Sequence, residues 1–207
     1  AAAAAAAEVS GSSAGERPPC FTATGLEIAN RTRRALESRL GATIVDEWTP
    51  GVTHLVTDTF RRTTKLMCAI CVGARIVAPA YLDACLRAGR LLPEEGFALQ
   101  DALCEAAFAK KHNLSAYSLP EALARARAQG PLLAGYSVHC TADVVGRAEL
   151  QVLVEAAGGR WLKRPPAAAA ATKSSGRPTL LIGRTYDAEL LREAACTQVL
   201  RLDSYRL

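Results

Sequence analysis

An α/β fold used twice is the architecture that this 207-residue sequence predicts: two domains, each a small parallel four-stranded sheet flanked by helices, joined by a linker helix. Three observations carry that expectation. Short β-branched strands alternate with apolar helical segments, the pattern of a buried parallel sheet. The same order of elements returns after an internal offset of about 117 residues, seen when the helix-ending Gly41-Ala42 is laid on Gly158-Gly159. A separate helical stripe, Leu119, Ala122, Leu123 and Ala126, lies between the copies.

The elements follow in order. Residues 1–18 combine Ala, Ser, Gly and Glu before Pro18-Pro19, the composition of a disordered leader. A short strand ends at Phe21-Thr22, and a helix runs from about Asn30, its expected N-cap, to Leu40. Thr43–Val45 and His54–Asp58 are the next strands, and an apolar helix from Leu66 to Val72 is closed by Gly73. Arg75–Val77 is the fourth strand, and Pro79 opens a third helix that Gly89 closes, which completes a first domain over 19–100. Residues 101–130 form a linker with one helix, Ser118–Arg127, whose stripe should pack between the copies. The second domain, 131–207, repeats strand (Tyr136–Cys140), helix (Ala148–Ala157), strand (Arg160–Leu162), strand (Thr179–Ile182), helix (Ala188–Ala195) and strand (Val199–Leu202). Residues 163–178, rich in Pro, Ala, Lys, Ser and Gly, read as a flexible insertion. The second copy is expected to lack its last helix, with Tyr205 or Leu207 standing where it would begin.

Composition narrows the function classes. No segment approaches the roughly 18 uncharged apolar residues that a spanning helix requires, so no membrane partner is expected. The start of the sequence has no basic region of the kind that opens a secretion signal. A net charge of +5 is compatible with an acidic partner, but direct nucleic-acid binding is not expected, because its Lys and Arg are not gathered on one basic stripe. The seven cysteines lie in apolar surroundings, the usage of small buried side chains in a reducing compartment. Cys68-x-x-Cys71 lacks a second such pair and a histidine at metal-site spacing, so no metal site is assigned.

No catalytic constellation is present in the sequence. His54, His112 and His139 are scattered without a carboxylate or nucleophile at a recognised spacing, and His54 reads as a packed, hydrogen-bonded core residue. Phosphate-loop, dinucleotide and nucleophile-elbow motifs are missing, so neither enzymatic activity nor a cofactor is expected. The informative segment is Arg61-Arg62-Thr63-Thr64-Lys65, which collects three cations at a helix start. The free N–H groups there already carry partial positive charge, so added cations cost a few tenths of a kcal/mol unless an anion joins them. A phosphate would reverse that sign by taking amide donors, an ammonium and guanidinium groups together. Read locally, a solvated basic turn and an anion site are both open.

Several stretches carry a resemblance: His54-Leu55-Val56-Thr57-Asp58, Arg61-Arg62-Thr63-Thr64-Lys65-Leu66-Met67-Cys68-Ala69-Ile70, and Arg75-Ile76-Val77-Ala78-Pro79. Arg87-Ala88-Gly89-Arg90-Leu91-Leu92-Pro93 and Tyr117-Ser118-Leu119 with Ala124-Arg125-Ala126-Arg127 extend it. Over about residues 19–207 the chain resembles a tandem BRCT pair, most of all the C-terminal pairs of PTIP-like proteins and of the checkpoint mediator.

That resemblance implies a non-catalytic reader of phosphoserine motifs in the nuclear DNA-damage response, docking on a phosphorylated histone tail or repair factor. The alternative is a phosphate-independent scaffold for constitutive protein or DNA-end contacts. The family's phosphate-binding hydroxyl, adjacent N–H and lysine fall on Thr22, Ala23 and Lys65, although a shift of two residues in the loop would make Thr24-Gly25 the pair. Arg62, helped by Arg61, would hold the peptide main chain or a carboxylate three residues beyond the phosphoserine. The side chain at that third position would enter a groove formed by Met67, Val144 and Val145, expected to be shallow and aliphatic. Two departures from the family pattern are Ala23 in place of glycine and Tyr81 in place of the third-helix tryptophan.

Overall fold

The structure is a computed structural model and describes residues 18–164 and 178–183, with the backbone of Gln198–Arg201. The first sheet contains β1 (Cys20–Ala23), β2 (Thr43–Ile44), β3 (His54–Val56) and β4 (Arg75–Val77), all parallel in the order β2-β1-β3-β4. Register pairs Phe21 with both Ile44 and His54, and Leu55 with Ile76.

Strand alternation splits the sheet's side chains between two cores. On one side Phe21, Ile44, Val56 and Val77 meet Leu36 of α1 (Asn30–Leu40) and Tyr81, Leu82 and Cys85 of α3 (Ala80–Ala88). On the other, Leu55 and Ile76 meet Leu66 and Ala69 of α2 (Thr64–Val72), with Phe60 and Leu99 beside them. Each large aliphatic side chain buried in this way stabilises the fold by about 1.5–3 kcal/mol.

The second core is completed from the linker, which holds two helices, one more than the sequence predicts. α4 (Ala102–Lys111) is capped by Asp101, whose Oδ1 accepts from Cys104 N at 3.1 Å while Oδ2 accepts from Phe60 N at 2.9 Å. Those N–H groups hold the Asp101 carboxyl below its ordinary range. Phe108 of α4 packs edge-on against Phe60 and Tyr117, with ring centroids 5.5 and 4.8 Å away. α5 (Leu119–Gln129) is capped by the Ser118 hydroxyl and buries Leu119 and Leu123 in the first domain's core. The two leucines of the predicted stripe are therefore buried, but they pack on α2 and the first sheet. Arg127, near the end of α5, donates to the Gly73 and Ala74 carbonyls at 2.8 and 3.4 Å and ties the linker to the C-terminal end of α2.

The second sheet repeats the parallel order: β5 (Ser137–Cys140), β6 (Arg160–Leu162), β7 (Thr179–Gly183) and β8 (Gln198–Arg201) run β6-β5-β7-β8. β1 and β5 begin 117 residues apart (137 − 20), in line with the predicted repeat. Val138, Cys140, Val144, Ile182 and Val154 of α6 (Arg147–Ala156) form its described core. α6 packs against α2, so a helix of each copy meets at the junction. The leader over 1–17, most of the insertion 163–178, the helix expected at Ala188–Ala195, and Tyr205 and Leu207 lie outside the described residues.

The expected cap of α1 changes, while Tyr81 and His54 are placed as expected. Helix α1 starts at Asn30, but its cap is Ala29 and no side chain bonds the first turn. Tyr81 fills the core and its hydroxyl, which burial keeps protonated far above the ordinary range, donates to the Leu92 carbonyl at 2.8 Å. His54 is buried, stacked on Phe21 at 4.6 Å, with Nδ1 2.8 Å from Thr53 Oγ1 and Nε2 3.2 Å from Glu94 Oε1. Cys68 is also fully buried, and burial with nearby Cys71 pushes its thiol up to about 12, which leaves it unreactive.

Candidate functional site

The basic segment folds as a helix start. Thr63 caps α2, its Oγ1 accepting from Leu66 N at 3.2 Å, and Lys65 falls in the first turn. β1 and α2 converge at this point. As β1 leaves the sheet, Thr24 N donates to Val56 O at 3.1 Å, and Thr24 Oγ1 donates to Thr63 Oγ1 at 3.0 Å. The next residue, Gly25, has φ +76°, a left-handed conformation that strains any residue with a Cβ. Lys65 Nζ donates to Ala23 O at 3.1 Å and to Asp46 O, so the ammonium is held at the end of β1.

These groups line one side of a groove of about 500 Å³ between the two copies. Thr24, Thr63, Thr64 and Lys65 come from the first copy, with Glu47 and Trp48 from its β2–β3 loop; Ala148, Glu149 and Val152 of α6 form the opposite wall. A helix N-terminus, three hydroxyls and an ammonium on one surface form a set of groups suited to a tetrahedral anion.

The expected site residues are placed unequally. Lys65 lies in the groove. Thr22 has no exposed surface and its Oγ1 finds no partner, so its hydroxyl cannot meet a ligand. Ala23 contributes a carbonyl to Lys65, an acceptor where an anion needs donors. Thr24, and not Thr22, lines the groove, which is the alternative register. Arg61 and Arg62 are exposed, and the Arg61 guanidinium lies 3.7 Å from where a Cβ on Gly25 would sit.

The groove beyond the cations also differs from expectation. Val144 is buried in the second core, Val145 is 76% exposed, and neither they nor Met67 line the groove. In their place are Glu47, Trp48, Glu149 and Val152, so the groove is acidic and aromatic as well as aliphatic. No local pattern in the sequence joins Glu47-Trp48 to Glu149, which lie about 100 residues apart (149 − 47 = 102) and meet only through packing of α6 on α2.

Two parallel four-stranded sheets in the same order, joined through α2, α5 and α6, resemble a tandem BRCT pair, and the first copy carries the match to a BRCT domain. Residues 18–99 match the family profile described as the Regulator of Ty1 transposition protein 107 BRCT domain. PAX-interacting protein 1 of Bos taurus is 32% identical over 114 residues, covering 55% of this chain and 11% of that protein. Mediator of DNA damage checkpoint protein 1 of Homo sapiens is 33% identical over 114 residues, 55% of this chain and 5% of that protein. The chain thus corresponds to a small part of these relatives. The crystal structure of the S. pombe Brc1 BRCT5-BRCT6 domains superposes with a TM-score of 0.64 at 25% identity, covering 83% of this chain and 79% of that one.

Proposed function

We propose that the chain is a phosphoserine-peptide-binding adaptor module of the nuclear DNA-damage response, docking on phosphorylated proteins such as a modified histone tail or repair factor. One observation carries the reading: Thr24, which left-handed Gly25 follows, the start of α2 and Lys65 line one inter-domain groove. Phosphate brings about two negative charges and three acceptor oxygens, which match that donor set. Thr24 Oγ1, the Gly25 N–H and Lys65 Nζ hold the phosphate on this reading, and Arg62, with Arg61, holds the peptide main chain or a carboxylate beyond it. The DNA-damage setting is supported by the names of the relatives, one of them a mediator of the DNA damage checkpoint.

Charge-assisted hydrogen bonds contribute about 1.5–3 kcal/mol each, so removing the phosphate weakens binding a hundredfold or more. The test is titration of a phosphoserine peptide library and its unphosphorylated twin against the chain and against Lys65→Glu. The expected outcome is tight binding of phosphorylated peptides alone, lost in Lys65→Glu. Equal affinity for both sets, or indifference to Lys65→Glu, overturns the reading in favour of a phosphate-independent scaffold.

A further inference from the structure

The same groove carries a feature that phosphate binding does not require. Two exposed carboxylates, Glu47 and Glu149, face it from opposite domains, and among the described residues neither has an ion-pair partner. Trp48, half-buried against the first domain's core, lines the groove next to Glu47, and Val152 lies one helical turn beyond Glu149. Placed beside a doubly charged phosphate, the carboxylates repel it. A ligand carrying only the phosphate therefore meets an opposing field a short distance from the lysine that attracts it.

The chain also fixes how close these groups lie. Lys65 Nζ donates to the main-chain carbonyl of Asp46, and Glu47 is the next residue, so their Cα atoms stand about 3.8 Å apart along the chain. A peptide whose phosphoserine is on Lys65 thus places a neighbouring side chain beside Glu47 and Trp48. An arginine suits this lining on three counts: its guanidinium forks onto carboxylates, its plane stacks on an indole, and its methylene stem covers aliphatic surface such as Val152.

Resting on the phosphoserine reading, we infer that the groove selects phosphopeptides with an arginine close to the phosphoserine, and that Glu47, Trp48 and Glu149 set this specificity. The carboxylates act on both sides of the choice. They attract the arginine-bearing peptide and repel phosphopeptides flanked by acidic or further phosphorylated residues. A lysine is accepted less well, because it offers neither the planar fork nor the stacking surface.

The experiment measures fluorescence anisotropy of labelled phosphoserine peptides with the whole chain, arginine being scanned through the three positions on each side of the phosphoserine. Matched peptides carry alanine or glutamate at the same position, and each has an unphosphorylated twin. At one position arginine is expected to bind about tenfold tighter than alanine, the size expected of exposed ion pairs added to a cation–π contact. Glu149→Arg and Glu47→Arg are expected to reverse the order of the arginine and glutamate peptides, a ratio that a general loss of affinity cannot produce. Phosphorylation-dependent binding with the same affinity for arginine, alanine and glutamate peptides overturns this inference and leaves the phosphoserine reading standing. Binding that ignores phosphorylation overturns both.

Discussion

The two copies share one sheet order and divide the labour between them. The first copy's sheet is buried on both faces, with Leu55 and Ile76 in one core and Val56 and Val77 in the other. It also supplies the hydroxyls and the ammonium at the groove, from the end of β1 and the start of α2. The second copy has one described core and gives the groove only a single wall, Ala148, Glu149 and Val152 on α6. At the position of Thr24 the second copy has Thr141, whose N–H likewise donates across to the third strand of its sheet, at Ile182 O. The backbone geometry of the strand end is duplicated, whereas the hydroxyls and the ammonium that line the groove come from the first copy. What the comparison teaches is that a repeated fold supplies the position of a site while a few side chains supply its chemistry.

The strongest way to break the comparison is through the cores. Leu55→Ala opens a cavity between the sheet, α2 and α5, and is expected to lower stability by about 2–5 kcal/mol. Val154→Ala in α6 removes fewer atoms, from the second copy's described core, and should cost less. Chemical denaturation of both variants checks the order; an equal or larger loss in Val154→Ala would mean that the second copy bears as much of the stability as the first.

A second contrast uses two glycines of the same left-handed conformation. A Cβ at Gly158 would lie 2.5 Å from Pro131 Cβ, whereas one at Gly25 meets nothing closer than 3.7 Å. Gly158→Ala is therefore expected to destabilise the second domain by about 2 kcal/mol or more, as clash adds to backbone strain. Gly25→Ala carries the backbone strain alone, about 1–2 kcal/mol, and on the phosphoserine reading shows it as roughly tenfold weaker phosphopeptide binding. Thermal melts paired with peptide titrations separate the two; weaker binding in Gly158→Ala without a lower melting temperature would contradict the assignment of that glycine to structure.

The smallest effect is on pH. Asp101 has a lowered pKa in the folded chain because the Phe60 and Cys104 N–H groups bond its carboxylate. A depressed acid stabilises the fold at pH values above the unfolded pKa, near 4, and that contribution is lost as the pH falls through the lower folded value. Acid titration of stability should therefore show a steeper limb in the native chain than in Asp101→Asn. Superimposable limbs would remove Asp101 from the account of why α4 docks on the first copy.

Much of this was legible in the sequence. Strand–helix alternation and the recurring glycine turns predict both sheets and their repeat, and the cations at 61–65 mark α2 as a helix start with an unusual charge. The hydroxyl beside Lys65 was not fixed by pattern, for a definite reason. Thr22 and Thr24 are two residues apart and share one face of a strand, so alternation cannot choose between them. The choice is made by where β1 leaves the sheet: Thr22 stays beneath it, and Thr24 turns out toward the cap of α2. α4 escaped because its apolar residues form no clean stripe; Leu103 is 86% exposed, and Phe108 reaches the first core through Phe60, far away in sequence. The acidic wall escaped because it exists only after α6 has packed.

The bonds from Lys65 to two main-chain carbonyls bear on how such a module is probed in cells. A lysine on a free stem could lean toward any nearby anion, but this one is tethered and can reward only an anion that comes to it. A carboxylate introduced as a phosphomimetic has two oxygens in a plane and a single charge, and cannot reach a hydroxyl, an amide and a fixed ammonium together. On the phosphoserine reading, aspartate or glutamate at the phosphosite of a partner would thus report as loss of the modification, and a silent mimetic would not be evidence that phosphorylation is irrelevant.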